Sequence, residues 1–373
     1  MNLSLNKIIL TFKNKKIIRP KGVKSFFGNL LLSEYFVLYI CVAYFIVLLP
    51  FIPELASFEN LSNILSNMWP LLAIAIGQTV VMLIAGIDLS QTSILAFTSV
   101  FGALIMTRGV NPLIFKKTPV WGLLVNEQGG IFAANSMAVP LAIILMLLFG
   151  IFFGWLNGLS IAKLKMPPFM VTLVSQIFLS ALAIYLTKSE NVTKLPVSYI
   201  HIGTGGFGFI SYALIIVCIL GVVTHFILTR TEIGKWIFAV GTNLKCAMVS
   251  GVPTKKIIIL VYTFSGLCAA VSSVLYSSRL HMGRPTLGQN ILMDIIGATV
   301  IGGTSMYGGK GKVIWTLFGV LFFSLLGNTL NLLNLSFFTI NVVKGVVILL
   351  AALADVTRTR ILVRDYNSEK VGE

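Results

Sequence analysis

A chain of 373 residues that is 57% hydrophobic and only 11% charged, with a mean hydropathy of +0.94, is too apolar to remain dispersed as a soluble domain. At about 20 apolar residues per crossing, its length holds roughly ten membrane-spanning helices and little else. A membrane β-barrel is excluded because runs such as Leu214 to Leu228 and Val342 to Leu353 are apolar on every face instead of alternating, and the net charge of +16 invites a nucleic-acid reading that the placement of the charges removes.

The predicted order begins with a basic cytoplasmic segment, residues 1–33. The apolar run from Tyr35 to Leu49 has no small-residue cleavage pattern directly behind it, so it reads as a retained first span and not as a signal peptide. The spans are predicted at 34–52, 63–86, 89–107, 138–162, 169–187, 207–228, 257–278, 291–303, 313–333 and 337–354. That is an all-α integral membrane protein with a transmembrane domain over 34–355 and a tail over 356–373. Of the 28 Lys and Arg, 20 fall in one set of connections and seven in the other, with Lys344 inside a span. The positive-inside rule therefore puts both termini in the cytoplasm. The basic balance is topology with anionic lipid contact, and nucleic acid drops out as a partner.

Spans two and three meet at GIDLS, residues 86–90, where Gly86 is expected to take a left-handed conformation and Asp88 or Ser90 to cap the next helix. The other reading makes Asp88 a polar contact on a solute path, since an acid at membrane depth costs about 2.5–3.5 kcal/mol. The connection from Thr107 to Ser136 is expected to form an ordered cap, and the one from Lys188 to Gly206 to end in a flexible HIGTGGFG. Further on, VIGGTSMYGGKGK at 300–312 fails as a nucleotide loop, because Thr304 stands where its first glycine belongs and Gly311 follows Lys310. Its glycines are expected to let a short span stop and turn back.

Polar groups within spans are few, and Asn157, Thr172, Gln176, Asp294, Asn328, Asn331 and Lys344 stand out. Each is either helix-to-helix glue or, with Asp88 and Ser90, part of a translocation path. Asp294 and Lys344 are ionisable and are expected to pair across two late spans. Four cysteines and three histidines stand singly, with no disulfide or metal spacing, and no nucleophile with its base stands out.

One charged insert remains, TEIGKWIFAVGTNLKCAMVSGVPTKK at 231–256. Asn243 is a good N-cap, Leu244 to Ser250 make about two helical turns, and Gly251 followed by Pro253 suits a left-handed exit. Leu244, Ala247 and Met248 are expected to share one face of a short amphipathic helix held between turns at Gly241 and Gly251. It either lies on the membrane surface or meets a partner.

GIDLS, WLNGLSIAKLKMPPFMVTL, TEIGKWIFAVGTNLKCAMVSGV, PTLGQNILMD, VIGGTSMYGGKG and VVKGVVILLAALAD, in that order, resemble the permease subunits of ribose-type sugar ABC importers from about Leu61 to Asp355. The resemblance implies a type II-like importer bundle in a bacterial cytoplasmic (inner) membrane. It also implies a second permease copy or paralogue, separate ATPase subunits that hold ATP and Mg, and an extracytoplasmic solute-binding protein. No cofactor is then expected on this chain and no enzymatic step. Segment 230–256 matches the family's ATPase-coupling segment through Gly234, Ala239, Gly241, Asn243, Ala247, Ser250 and Gly251. The chain departs from the usual pattern at Gln91 and Thr92, at Leu292, and at Ser180-Ala181. The implied cargo is a pentose or hexose, with autoinducer-2 or a sugar alcohol as the alternative. An ion-coupled secondary transporter is the competitor from another class and would need more intramembrane acids than Asp88 and Asp294.

Overall fold

Away from water an unpaired backbone amide is costly and apolar side chains offer it no partner, so apolar runs of this length close their hydrogen bonds within helices. The computed structural model describes residues 35–351 except 209, together with 353; the predicted segments 1–33 and 356–373 lie outside the described residues. The helices are α1 (Phe36–Leu48), α2 (Phe58–Leu83), α3 (Gln91–Met106), α4 (Ala138–Lys163), α5 (Pro168–Thr187), α6 (Val197–Thr204), α7 (Tyr212–Arg230), α8 (Glu232–Thr242), α9 (Leu244–Val249), α10 (Thr254–Leu280), α11 (Leu292–Gly302), α12 (Val313–Leu332) and α13 (Phe337–Ala351). Six of them, α2, α4, α5, α7, α10 and α12, are long and apolar enough to cross a membrane, while α1, α3, α11 and α13 are shorter apolar helices. This is a multi-pass membrane protein.

α10 lies at the centre, packed along α4, α2, α3 and α6. Its contact with α4 is made backbone to backbone. Gly150, Gly154 and Gly158 recur every fourth residue on α4 and meet Gly266, Tyr262 and Ile259 of α10. A Cβ at Gly158 would sit 2.7 Å from the Ile259 Cα, and one at Gly154 would run into the Tyr262 carbonyl. Small residues at this spacing let helices approach closely where no water-driven burial pulls them together.

Serines on α10 extend the contact to the other neighbours. Ser272 Oγ donates to the Pro70 carbonyl at 2.7 Å, Ser273 Oγ to the Leu95 carbonyl at 2.9 Å, and Ser277 shares a 2.6 Å bond with the Tyr199 hydroxyl. By contrast Val174, Ile177 and Phe178 on α5, and Val222 and Phe226 on α7, are exposed, as suits helices facing lipid.

α11 has 11 residues, about 16 Å at 1.5 Å per residue, and cannot cross a bilayer core alone. It ends at Gly303, whose φ of +107° is left-handed, and packs back on α12, where a Cβ at Gly302 would meet the Trp315 carbonyl.

Between α3 and α4 the chain forms an ordered cap. It contains a turn at Pro112–Phe115 and a small hairpin, β1 (Val125–Asn126) with β2 (Gly129–Gly130), and is tied to α3 by Gly130 N–H to Thr107 O at 2.8 Å. In this cap Lys116 Nζ lies 2.9 Å from Glu127 Oε1. The hydrogen bond from Lys116, and then its charge, holds the Glu127 carboxyl below its ordinary range.

HIGTGGFG corrects an expectation. It is not a flexible end: Val197–Thr204 is helical, and β3 (Gly206–Phe207) pairs with β4 (Ile210–Ser211). The Ser278 side chain and Arg279 backbone come so close to Gly203 that only a glycine fits there.

Gly154→Leu is expected to separate α4 from α10 and cost at least the 1–3 kcal/mol typical of overpacking. Thermal unfolding of the detergent-solubilised protein should show a lowered midpoint, while Ile144→Leu on the exposed side of α4 should leave it unchanged.

Candidate functional site

The α2–α3 connection is the main interruption in the bundle core. α2 stops at Leu83, Ala85 turns the chain with φ +58°, and residues 86–89 run without helical structure until α3 starts at Gln91. The left-handed residue is thus Ala85 and not Gly86, which corrects the expectation. Gly86 is small for another reason, since a Cβ there would lie 2.6 Å from the Tyr262 hydroxyl. The break lies within the bundle: Ser265, which touches Asp88, is 11 residues into α10, about 16 Å along it.

Asp88 is fully buried and accepts three hydrogen bonds. Ser90 N–H and Ser90 Oγ reach Oδ1 at 3.0 and 2.6 Å, and Ser265 Oγ reaches Oδ2 at 2.6 Å. Ser265 Oγ in turn accepts from Gln91 Nε2 at 2.7 Å, and Ser90 Oγ from Asn157 Nδ2 at 2.8 Å. Asn157 Oδ1 accepts from Ser175 Oγ at 2.5 Å. A carboxylate only accepts, and each hydroxyl has one proton, so Asp88 orients the whole chain: Gln91 to Ser265 to Asp88 from one side, Ser175 to Asn157 to Ser90 to Asp88 from the other. The network joins the α2–α3 break to α4, α5 and α10. Thr172 on α5 lies at its edge, with Oγ1 3.4 Å from the Ile87 carbonyl.

The capping expectation also changes. Ser90 occupies the N-cap position but makes no side-chain cap bond; its hydroxyl instead donates to Asp88 and accepts from Asn157.

The structure brings together Asp88, Ser90, Asn157 and Thr172, and separates the other polar residues named from sequence. Gln176 is half-buried on α5, outside the network. Asn328 on α12 pairs reciprocally with Asn60 on α2, at 3.0 and 2.7 Å. Asn331 turns back to its own helix, donating to the Gly327 carbonyl at 2.8 Å. Asp294 on α11 receives Lys344 Nζ of α13 at 2.7 Å, with both side chains largely buried.

Sequence reasoning missed Ser265, Ser175 and the role of Gln91 and Asn60. It also missed Gln78 on α2, which is fully buried with neither side-chain polar atom partnered among the described residues. The available signal was the density of small and hydroxyl residues in SGLCAAVSSVLYSS, which is high for an apolar span.

The charged insert folds as two helices. Thr231 Oγ1 caps α8 by accepting from Gly234 N–H at 3.3 Å, and Gly234 is packed under the Ile227 and Leu228 carbonyls. Asn243 caps α9 by accepting from Cys246 N–H at 3.0 Å. The exit is a complete left-handed stop, with Gly251 at φ +83°, its N–H on Met248 O at 3.1 Å and Val252 N–H on Ala247 O at 3.0 Å.

One expectation is corrected here: Gly241 is not a turn but lies inside α8. Ala247 is buried, while Leu244 and Met248 beside it are exposed. In a helix of six residues, Ala247 points back to the protein while Leu244, Met248 and Val249 are exposed, Val249 at 91%. Ala239 is half-buried, and its carbonyl holds the Asn243 N–H at 3.1 Å; Ser250 is exposed.

Residues 60–352 match the family described as the permease component of the branched-chain amino acid transport system. This chain belongs to that permease family. Among its relatives are the ribose import permease of Bacillus subtilis (strain 168), 35% identical over 298 residues that cover 79% of this chain and 84% of the relative. The D-allose transport system permease of Escherichia coli (strain K12) is 28% identical over 323 residues, 87% of this chain and 90% of the relative. The L-arabinose ABC transporter permease of Azospirillum brasilense is 27% identical over 304 residues, 82% of each. These relatives are sugar permeases, the group that the six ordered motifs resemble. No solved structure matches the chain.

Two measurements check the permease's polar architecture. Asp88→Ala strands three buried donors, at about 1–3 kcal/mol each. Asp88→Asn is milder, because flipping the Gln91 amide lets Ser265 donate to Gln91 Oε1, an atom with no partner among the described residues. The thermal midpoint should fall further for Asp88→Ala than for Asp88→Asn, and adding Gln91→Leu should narrow the difference by stranding the Ser265 proton in the Asn variant while the two Ser90 bonds remain. Lys344→Met should cost about 3–5 kcal/mol by leaving a buried carboxylate unpaired, and much less in an Asp294→Asn background. Equal losses in both backgrounds would show that the pair is not coupled.

Proposed function

We propose that this permease is the membrane subunit of an ATP-driven importer for a small sugar, a pentose or hexose. The observation that carries this reading is α9, a short helix fixed at both ends with Leu244, Met248 and Val249 exposed, on a chain whose relatives are sugar permeases. A push on a helix capped by Asn243 and stopped at Gly251 moves the adjoining helices instead of being absorbed in loose ends.

In this reading the ten apolar helices form a type II-like bundle over 34–355, α11 entering the membrane only part-way, in a bacterial cytoplasmic membrane, with 1–33, 230–256 and 356–373 on the cytoplasmic side. Residues 230–256 couple to separate ATPase subunits, which hold ATP and Mg. A second permease, identical or paralogous, completes the path, and an extracytoplasmic binding protein delivers the sugar. This chain makes and breaks no covalent bonds in its cargo, and its basic residues meet anionic lipid, with no nucleic acid partner.

The candidate path groups are Asp88, Ser90, Asn157, Thr172, Gln176, Asp294, Asn328 and Asn331. Their hydroxyl, amide and carboxyl groups match a neutral polyol, whose hydroxyls both donate and accept. Asp88, Ser90 and Asn157 satisfy one another in the conformation described. Opening the path therefore means parting the α2–α3 break from α4 and α10, so that cargo hydroxyls replace those bonds.

The test is to tag the chain, solubilise it gently from its own membranes and identify what copurifies. Wild type should bring an ATPase subunit, and Asn243→Pro with Gly251→Val should lose it. ATP-dependent uptake of labelled ribose should follow the same pattern, while uptake of a sugar alcohol or autoinducer-2 in place of ribose would move the cargo. Recovery of the chain alone, with uptake that follows an ion gradient, would identify a secondary transporter instead.

A further inference from the structure

We propose that the glycine turn between α11 and α12 transmits movement of the coupling segment to the Asp88 break, through a backbone junction of Leu83, Gly241 and Gly309. The proposal rests on the reading of α9 as the ATPase-facing helix. Three segments meet at the junction: the end of α2, the end of α8 and the turn itself. Gly309 N–H donates to the Leu83 carbonyl at 2.9 Å, a carbonyl that the end of α2 leaves free. Gly241 in α8 lies against that same carbonyl so closely that any Cβ would collide with it, and would also stand 2.7 Å from Gly309 N. A Cβ at Gly308 would lie 2.7 Å from the Gly241 carbonyl and 2.9 Å from Ala85 N.

These are main-chain contacts, with no side chain between them that could rotate to absorb a displacement. The turn is also internally braced, by Ser305 N–H to Lys310 O at 2.9 Å and Gly308 N–H to Ser305 O at 3.2 Å. Gly308 and Gly309 both have left-handed backbones, at φ +84° and +69°.

The consequence follows from connectivity. Asn243, the cap of α9, is two residues from Gly241; Asp88 is five residues from Leu83 and is joined to it through the tight turn at Ala85. A displacement of α9 therefore reaches the carboxylate of the network by two routes, the direct contact of Gly241 with the Leu83 carbonyl and the turn, which lies against Gly241 and holds that same carbonyl through Gly309 N–H. A turn that fails as a phosphate loop has this mechanical use for its glycines. Gly241 and Gly309 are positioning residues in this scheme and touch no cargo.

The test uses the full complex in proteoliposomes and reads labelled sugar delivered per phosphate released. Gly309→Asn keeps a residue that tolerates a left-handed backbone but directs its side chain at Thr242, whose Oγ1 would stand 2.7 Å from a Cβ at that position. It is expected to leave ATPase copurification and phosphate release near wild type while sugar per phosphate falls about tenfold, and adding Thr242→Gly should restore most of the ratio. An unchanged ratio, or one that Thr242→Gly does not restore, overturns the proposal.

Should Gly309→Asn fail to assemble, hydrogen exchange of the wild-type complex decides. Peptides covering 83–90 and 303–312 are expected to change together on trapping with vanadate, and a change confined to one of them overturns the junction. A wild-type chain that brings down no ATPase sinks the importer reading itself, which copurification reports separately.

Discussion

Close approach of α4 and α10 is the contact on which the rest of this permease depends. In lipid, apolar side chains gain little by meeting one another, so helices associate through dispersion contacts and polar groups held at short range. Gly150, Gly154 and Gly158 bring the α4 backbone against Gly266, Tyr262 and Ile259. Asn157 is adjacent to Gly158 and Ser265 to Gly266, so the approach that packs the helices also delivers an amide and a hydroxyl to the α2–α3 break.

That break tolerates a buried acid only because its hydrogen bonds are complete in the interior. Asp88 has three donors, and each hydroxyl donor is itself held by a further amide. Orientation propagates outward from the carboxylate, since it is the one member that cannot donate. Because its members share donors and acceptors, loss of one bond disturbs the others, and the network is worth more than its pairs taken singly. The Asn60–Asn328 and Asp294–Lys344 pairs are local by comparison, each tying two helices.

At the other end of the mechanism, α9 is too short to be stable through its own hydrogen bonds. Its order comes from the Asn243 cap, the Gly251 stop and the burial of Ala247, which leave its apolar side chains displayed and its ends fixed. The Gly241 contact with Leu83 then sets this segment against the end of α2, so the fixed ends of α9 and the interruption at Asp88 are linked by a contact between two separate stretches of backbone.

Much of this was legible in the chain itself. Apolar runs, the basic asymmetry, the cap at Asn243 and the stop at Gly251 follow from local chemistry, as does a set of polar residues in and beside spans that holds Asp88, Ser90, Asn157 and Thr172 together with Gln176, Asp294, Asn328 and Asn331, because helix formation, capping and the cost of an intramembrane acid depend on neighbouring residues and on the solvent. What only the tertiary structure decided was which groups meet. Asp88 to Ser265 spans 177 residues and Asn60 to Asn328 spans 268, separations over which no period or motif operates. Gly241 and Gly86 look like turn glycines in sequence, yet they are small because another backbone or a tyrosine hydroxyl lies against them. Spacing puts Ala247 beside Leu244 and Met248 on α9, but that it alone is covered while they stay exposed is decided by what packs around the helix.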